Sequence, residues 1–229
     1  VQALVIIPAF NEEASIGKVI ADVPRQWVRE VVVVNNASTD RTVEVATAAG
    51  ATVLTEMQRG YGHACLKGIA YAAALPVGQR PDVIVFLDGD YSDFPGEIEL
   101  LLQPIREEGY DLVIGSRVIG NREKGSLTPQ QVFGNWLATK LLRLFYGVRF
   151  TDLGPFRAIT LEKLLALQMK DTTYGWTVEM QLKAAKQKLR TTERAVSYRK
   201  RIGVSKISGT VRGTIKAGFK IIFTIFRYL

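Results

Sequence analysis

Residues 82–94 read "DVIVFLDGDYSDF", an apolar run that stops on three aspartates within six positions. Short, Val/Ile-rich and uninterrupted, the run suits a strand buried on both faces. Asp88, Asp90 and Asp93 then crowd like charges at its end, which is costly unless something positive meets them. Gly89 between the first two leaves the backbone unobstructed, so both carboxylates can turn toward one point. Paired carboxylates on a tight turn are hard oxygen ligands suited to Mg2+ or Mn2+, which keeps waters and bridges a substrate phosphate. The alternative is an exposed acidic turn, with Asp93 capping the helix that follows.

Working outward, similar runs lie at residues 3–8, 30–35, 51–55 and 111–115. Helical spacing separates them at 41–49, 61–75 and 97–108. Ile16, Val19, Ile20 and Val23 mark an earlier helix, with Asn11 as N-cap and Pro24 as stop. Strands alternating with helices predict a doubly wound α/β sheet. Ligands of such sheets bind outside the carboxyl ends of the strands. "PAFNEE", "NNASTD", "DGD" and "GSR" each follow a strand, so four polar clusters should converge on one edge. Further along, the spacing predicts helices over 132–146 and 176–188, a strand over 194–199 and a terminal helix over 207–228. No linker divides the 229 residues, and a single domain over 1–229 is expected.

The net charge of +8 conceals an asymmetry: residues 1–115 hold 8 Lys+Arg against 16 Asp+Glu, and residues 116–229 hold 22 against 6. A basic half suggests phosphates or an anionic membrane surface. The acidic half, with no helix-turn-helix, zinc-finger or RNP signature, argues against a nucleic acid partner. The longest charge-free stretch, residues 125–139, includes Ser126, Thr128, Gln130, Gln131 and Asn135 and is too short to span a bilayer. The opening "VQALVIIP" reads as a strand rather than a signal segment. Cys65 is the only cysteine, so no intramolecular disulfide is possible and a cytoplasmic site is favoured.

Taken in order, "VIIPAFNEEASIGKVI", "VVVVNNASTDRT", "RGYGHACLKGI", "FLDGDYSDFPGEI", "LVIGSR", "TDLGPFRAI" and "RKRIGVSKISGT" resemble the family-2 glycosyltransferases of the GT-A fold. Within that family the chain is most similar to the dolichyl- or polyprenyl-phosphate mannose and glucose synthases. The resemblance implies a mostly parallel central sheet flanked by helices, with residues 1–115 binding nucleotide, 116–206 binding acceptor and 207–229 forming an amphipathic helix. It implies a UDP- or GDP-hexose donor, with Pro8, Phe10 and Glu12 lining the nucleoside pocket. Asn36 stands where the family has an aspartate that contacts the base, a departure that loses charge. Asp88 is expected to face ribose and metal, with Gly89 beside it, and Asp90 the metal and diphosphate. Ser92 replaces a glutamine that several relatives place beside the metal. Arg201 and Lys206 match residues that close over the diphosphate, and Arg117 matches the arginine that receives an acceptor phosphate.

Such an enzyme transfers a hexose with inversion, and basic groups beside a cation stabilise the charge on the departing diphosphate. A lipid-phosphate acceptor is already anionic and needs no base. A hydroxyl acceptor needs one, for which Asp152 and Glu179 are candidates. Their alternatives are a turn cap for Asp152 and an ion pair with Lys183 for Glu179. A soluble or protein hydroxyl acceptor and a non-catalytic membrane-surface module remain the competing readings. A nucleotidyltransferase is disfavoured because "PAFNEEASIGK" lacks a glycine-rich, arginine-containing loop.

Two helices bear on the acceptor. Trp136, Leu137, Leu141, Leu144 and Phe145 recur at helical spacing, as core or as the lining of a lipid groove. In the terminal helix Arg212, Lys216 and Lys220 share one face, and Phe219, Phe223 and Phe226 lie largely on the other. A basic amphipathic helix of this kind suits a peripheral position at the cytoplasmic face of a membrane.

Overall fold

The computed structural model describes residues 2–203 and 218–229 in full and the backbone of residues 211–217. Seven strands form one sheet in the order β3-β2-β1-β4-β6-β5-β7. The strands are β1 (Ala3–Ala9), β2 (Val28–Asn35), β3 (Thr52–Thr55), β4 (Val83–Phe86), β5 (Leu112–Ser116), β6 (Arg157–Thr160) and β7 (Thr191–Ala195). All neighbours run parallel except β6, which is antiparallel to both β4 and β5. This is the mostly parallel α/β architecture expected, with one reversed strand that the sequence pattern does not predict. "RAIT" is too short to announce itself, and its first residue is a buried arginine.

Alternate residues of β1, β2 and β4 face opposite sides and are almost wholly buried, so each side of the sheet carries its own apolar layer. Val5, Ile7, Val33 and Val85 pack with α1 (Ile16–Ala21), α2 (Thr42–Ala48) and α4 (Ile98–Glu108). Leu4, Ile6, Val34 and Phe86 pack with α3 (Tyr61–Ala74), α5 (Pro129–Tyr146), α6 (Leu161–Leu167), α7 (Trp176–Lys186) and α8 (Val211–Arg227).

Several boundaries move for local reasons. Ser15, not Asn11, is the N-cap of α1. Asn11 has φ 55° and its Oδ1 accepts the amide of Thr39 at 2.8 Å, fastening the first loop to the second. α5 begins three residues before its expected start because Thr128 and Gln131 close a capping box and Pro129 occupies the first turn. Asp93 caps nothing: both its carboxylate oxygens are buried without a hydrogen-bond partner among the described residues. The strand expected at 194–199 ends at Ala195. Beyond it the chain leaves the sheet edge and lies across the aspartate turn, the Arg199 amide donating to Ser92 O and the Ile202 amide to Asp90 O, both at 2.9 Å.

Of the α5 apolar residues, Trp136, Leu144 and Phe145 are exposed, whereas Ala138 and Leu142 enter the core. On α8, Ile225 is buried and Ile221 leans on the core, as does Tyr228 just past the helix end, while Phe219, Phe223 and Phe226 face outward. Among the described residues no helix is long and apolar enough to cross a membrane.

Candidate active site

Two adjoining clefts open beyond the carboxyl ends of β1, β2, β4 and β5. The first, of about 300 Å3, is lined by Pro8, Phe10, Glu12, Asn36 and Gly89, with Arg59 and Gly60 opposite. The second, of about 290 Å3, is lined by Arg117, Asn135, Leu153, Trp176, Tyr198 and Ile221 among others. Tyr61, Asp88, Asp90, Tyr174 and Arg201 line both. The aspartates therefore stand at the junction, and each cleft is large enough for part of a small ligand.

The turn that carries them is tied down rather than exposed. Asp90 is 3% accessible; its Oδ1 accepts the amide of Ser92 at 2.9 Å and its hydroxyl at 2.5 Å, and its Oδ2 meets the guanidinium of Arg201. Ser92 thus serves Asp90. Tyr61 Oη donates to Asp88 Oδ1 at 3.1 Å. Burial, and then the charge of Asp90, push the Asp88 carboxyl up to about 7. Burial together with Asp88 and Asp90 also raises Asp93 well above the carboxylate range. Arg201 pairs with Asp90 and its charge also lowers the Asp88 carboxyl, without offsetting burial and the neighbouring carboxylate. Asp88 and Asp90 fit a divalent cation: both carboxylates line the junction of the two clefts, and an added positive charge would offset their burial and mutual repulsion. Among the described residues no group of three or more His, Cys, Asp or Glu side chains could enclose a metal, so an ion held by Asp88 and Asp90 would need further ligands from water or substrate.

In the first cleft the guanidinium of Arg59 lies over the Phe10 ring, 4.8 Å from its centroid. Asn36 lines the first cleft as its position implies, but its hydrogen bonds turn toward the neighbouring loop. Its amide nitrogen donates to Glu56 O at 3.1 Å and Gln58 O at 2.8 Å, and its oxygen accepts the Gly60 amide at 2.7 Å. With both amide hydrogens used, Asn36 shapes the loop beside the cleft and has none to offer a base. The asparagine amide suits this place because it donates and accepts at once.

Asp152 and Glu179, the two candidate bases, lie outside the lining of both clefts. Asp152 is fully buried and grips Arg117 at two points, Nε to Oδ2 and Nη2 to Oδ1, each 2.7 Å. Burial alone would raise this carboxyl, but the charge and hydrogen bonds of Arg117 hold it below the usual range. Arg117 also covers the ring of Tyr198, 5.0 Å from the centroid, and its guanidinium remains charged. Glu179 accepts the amides of Lys170 and Asp171 and the hydroxyl of Tyr228, and pairs with Lys183 at 2.8 Å. Despite burial its carboxyl lies below the ordinary value. Each is a held anion rather than a proton acceptor poised near neutrality. Lys206 lies outside the described residues.

Sequence reasoning missed three contributors. Tyr61 and Tyr174 look like packing aromatics until the fold places them between the clefts. Arg157, fully buried, donates to Leu153 O, Gly154 O and Thr177 O and so fixes two walls of the second cleft; "PFRAI" gives no sign of it.

The glycosyl transferase family 2 pattern matches residues 4–166. An uncharacterized glycosyltransferase of Mycobacterium tuberculosis is 34% identical over 216 residues, covering 93% of each chain. The dolichyl-phosphate hexose transferase of Haloferax volcanii is 31% identical over 207 residues, 89% of this chain and 85% of that one. The undecaprenyl-phosphate mannosyltransferase of Micrococcus luteus is 29% identical over 227 residues, 93% and 90%. In fold, glucosyl-3-phosphoglycerate synthase from M. tuberculosis, solved with Mn2+, UDP and phosphoglyceric acid, superposes with a TM-score of 0.76 at 22% identity over 99% of this chain and 78% of that one. The pattern spans well over half of the sequence and the sheet carries the matching architecture: the chain is a glycosyltransferase with a GT-A-like fold and belongs to glycosyl transferase family 2.

Proposed function

We propose that this glycosyltransferase transfers a hexose, with inversion and with the help of Mg2+ or Mn2+, from a UDP- or GDP-hexose to a polyprenyl or dolichyl phosphate at a membrane surface. The carrying observation is the composition of the second cleft: among its described lining residues it holds Arg117, a charged guanidinium locked by Asp152, and no carboxylate or imidazole besides the junction aspartates. A hydroxyl acceptor would need a base there. A phosphate acceptor brings its own negative charge and needs a cation to hold it. The names of the Haloferax and Micrococcus relatives support the same class of acceptor.

On this reading residues 1–115 hold most of the donor cleft, and 116–206 hold much of the acceptor cleft. An oxygen of the acceptor phosphate, held by Arg117, attacks the anomeric carbon as the bond to the diphosphate oxygen breaks. The nucleoside diphosphate departs beside Arg201. A divalent ion on Asp88 and Asp90 would supply further charge stabilisation for that leaving group. Tyr61 holds Asp88 and Ser92 holds Asp90, so both carboxylates are preorganised. The exposed rings of α5 and α8, Phe133, Trp136, Phe219 and Phe223, form the membrane-facing side, and the basic second half provides attraction to an anionic cytoplasmic leaflet.

Substitution of Arg117 tests the acceptor assignment. Arg117→Lys keeps the charge but loses the two-point grip. It should raise KM for a polyprenyl phosphate much more than KM for the nucleotide sugar. An unchanged acceptor KM would remove the phosphate from this cleft.

A further inference from the structure

Residues 170–175, which join α6 to α7, are wedged between the donor cleft and α8. On the cleft side, a Cβ at Gly60 would lie 2.2 Å from Thr172 O and one at Gly62 2.0 Å from Asp171 O, so glycine is required at both places. The His63 amide also donates to Thr172 O at 3.1 Å. Gly60 is the residue whose amide Asn36 holds, and it lines the first cleft. On the far side a Cβ at Gly175 would lie 2.6 Å from Thr224 Oγ1 of α8. Tyr174, at the crest of the segment, lines both clefts.

Asp171 governs this wedge. Its Oδ1 accepts the amides of Thr173 at 2.8 Å and Gly175 at 3.1 Å, which fixes the turn that presents Tyr174. Its Oδ2 pairs with Lys220 Nζ of α8 at 3.0 Å, with the Asp171 side chain only 6% accessible. A carboxylate this buried depends on its partner. Helical spacing puts Lys220 on a basic face available to lipid; in the fold it points inward to the loop.

We propose that Asp171 and Lys220 are positioning residues for donor binding: the ion pair clamps α8 onto the 170–175 segment and so holds the Gly60–Tyr61 wall and Tyr174 in place. The inference rests on the nucleotide-sugar reading above. It makes α8 a structural part of the donor site, in addition to any anchoring that its outward phenylalanines perform.

The experiment titrates the full chain with UDP and with GDP, each in the presence of Mn2+, by calorimetry. Wild type, Lys220→Met, Lys220→Arg and Asp171→Asn are compared, with a thermal melt of each. Lys220→Met should weaken binding of the nucleotide that wild type takes by about tenfold, the scale of one lost charged hydrogen bond. Its melting temperature should fall, since the Asp171 side chain, 6% accessible, loses its cation, so every titration is run well below the lowest melting temperature and the Lys220→Arg rescue is read on affinity. Lys220→Arg, which keeps the cation, should restore most of the affinity. Asp171→Asn should weaken binding in the same direction; if it fails to fold, the Lys220 pair of variants decides alone. Wild-type affinity in Lys220→Met, or no rescue by Lys220→Arg, overturns the clamp while leaving the nucleotide-sugar reading standing. Binding of neither nucleotide by the wild type overturns that reading and the clamp with it.

Discussion

Arg117 and Asp152 meet in a two-point ion pair, Nε to Oδ2 and Nη2 to Oδ1 at 2.7 Å each, with Asp152 wholly buried and also accepting the Arg117 amide at 2.9 Å. Asp152 therefore acts through Arg117. Asp152→Asn preserves shape but leaves a buried guanidinium uncompensated, which should cost about 3–5 kcal/mol. Because the folded carboxyl lies below its ordinary 3.8, its stabilisation is complete above that value and is lost only as pH falls through the lowered one. Urea unfolding of both proteins at neutral pH should show the full difference. A loss of activity in Asp152→Asn without loss of stability would instead restore Asp152 as a base.

Asn36→Asp should harm the protein, although the resemblance to family-2 glycosyltransferases implies an aspartate there. A carboxylate would face the carbonyl oxygens of Glu56 and Gln58, to which the amide now donates. The expected cost is about 1–3 kcal/mol, from two lost donors and two acceptors left without a hydrogen. Denaturant melts measure it, and nucleotide affinity should fall with it as the 56–60 loop loosens. Improved affinity would mean that the loop rearranges and the base contact is recovered.

The contrast between these two positions shows what is legible in the sequence. The strands announce themselves through Val/Ile runs, and the rule that ligands gather at strand ends is enough to put Pro8, Phe10, Asp88, Asp90 and Arg117 along one edge. Partnership is legible only where it is local: helical spacing gives Glu179 with Lys183, but not Asp152 with Arg117, 35 residues away. Asp152 and Glu179 look like bases because a sequence shows a carboxylate but not the guanidinium or amides that occupy it. The four residues of β6 escape notice because a strand between two others needs no alternation, and Arg157 interrupts its apolar pattern. Trp136 and Leu144 sit at core-like spacing in α5, yet only the placement of α8 decides which side of α5 is covered.

Metal binding should depend on pH through Asp88. Its folded value of about 7 lies above the ordinary 3.8, so the metal-free protein is favoured by this group at low pH and loses that contribution as pH rises through 7. A divalent cation needs the ionised carboxylate and relieves the loss. The rise in melting temperature on adding Mn2+ should be small near about pH 5.5 and should approach its maximum near about pH 8. Asp90→Asn should abolish most of it. A pH-independent shift, or one retained in Asp90→Asn, would place the cation elsewhere.

Phe219 and Phe223 are 70% and 48% accessible and stack on each other, 6.3 Å between centroids, without joining the core. Phe219→Asp/Phe223→Asp should therefore leave the melting temperature nearly unchanged and strongly reduce co-sedimentation with anionic vesicles. Wild-type binding should weaken with salt, since each basic residue near an anionic leaflet contributes about 1 kcal/mol. Unaltered sedimentation of the double variant would move the docking surface away from α8.

The central claim is that the acceptor is a lipid phosphate held by Arg117. The direct measurement incubates the purified chain with labelled UDP- and GDP-hexoses, Mn2+ and either undecaprenyl phosphate or 3-phosphoglycerate. The account predicts an organic-soluble glycosyl phosphate with inverted anomeric configuration, formed only with the lipid phosphate and lost in Arg117→Ala. Transfer to the phosphoglycerate hydroxyl, or a retained configuration, would contradict it.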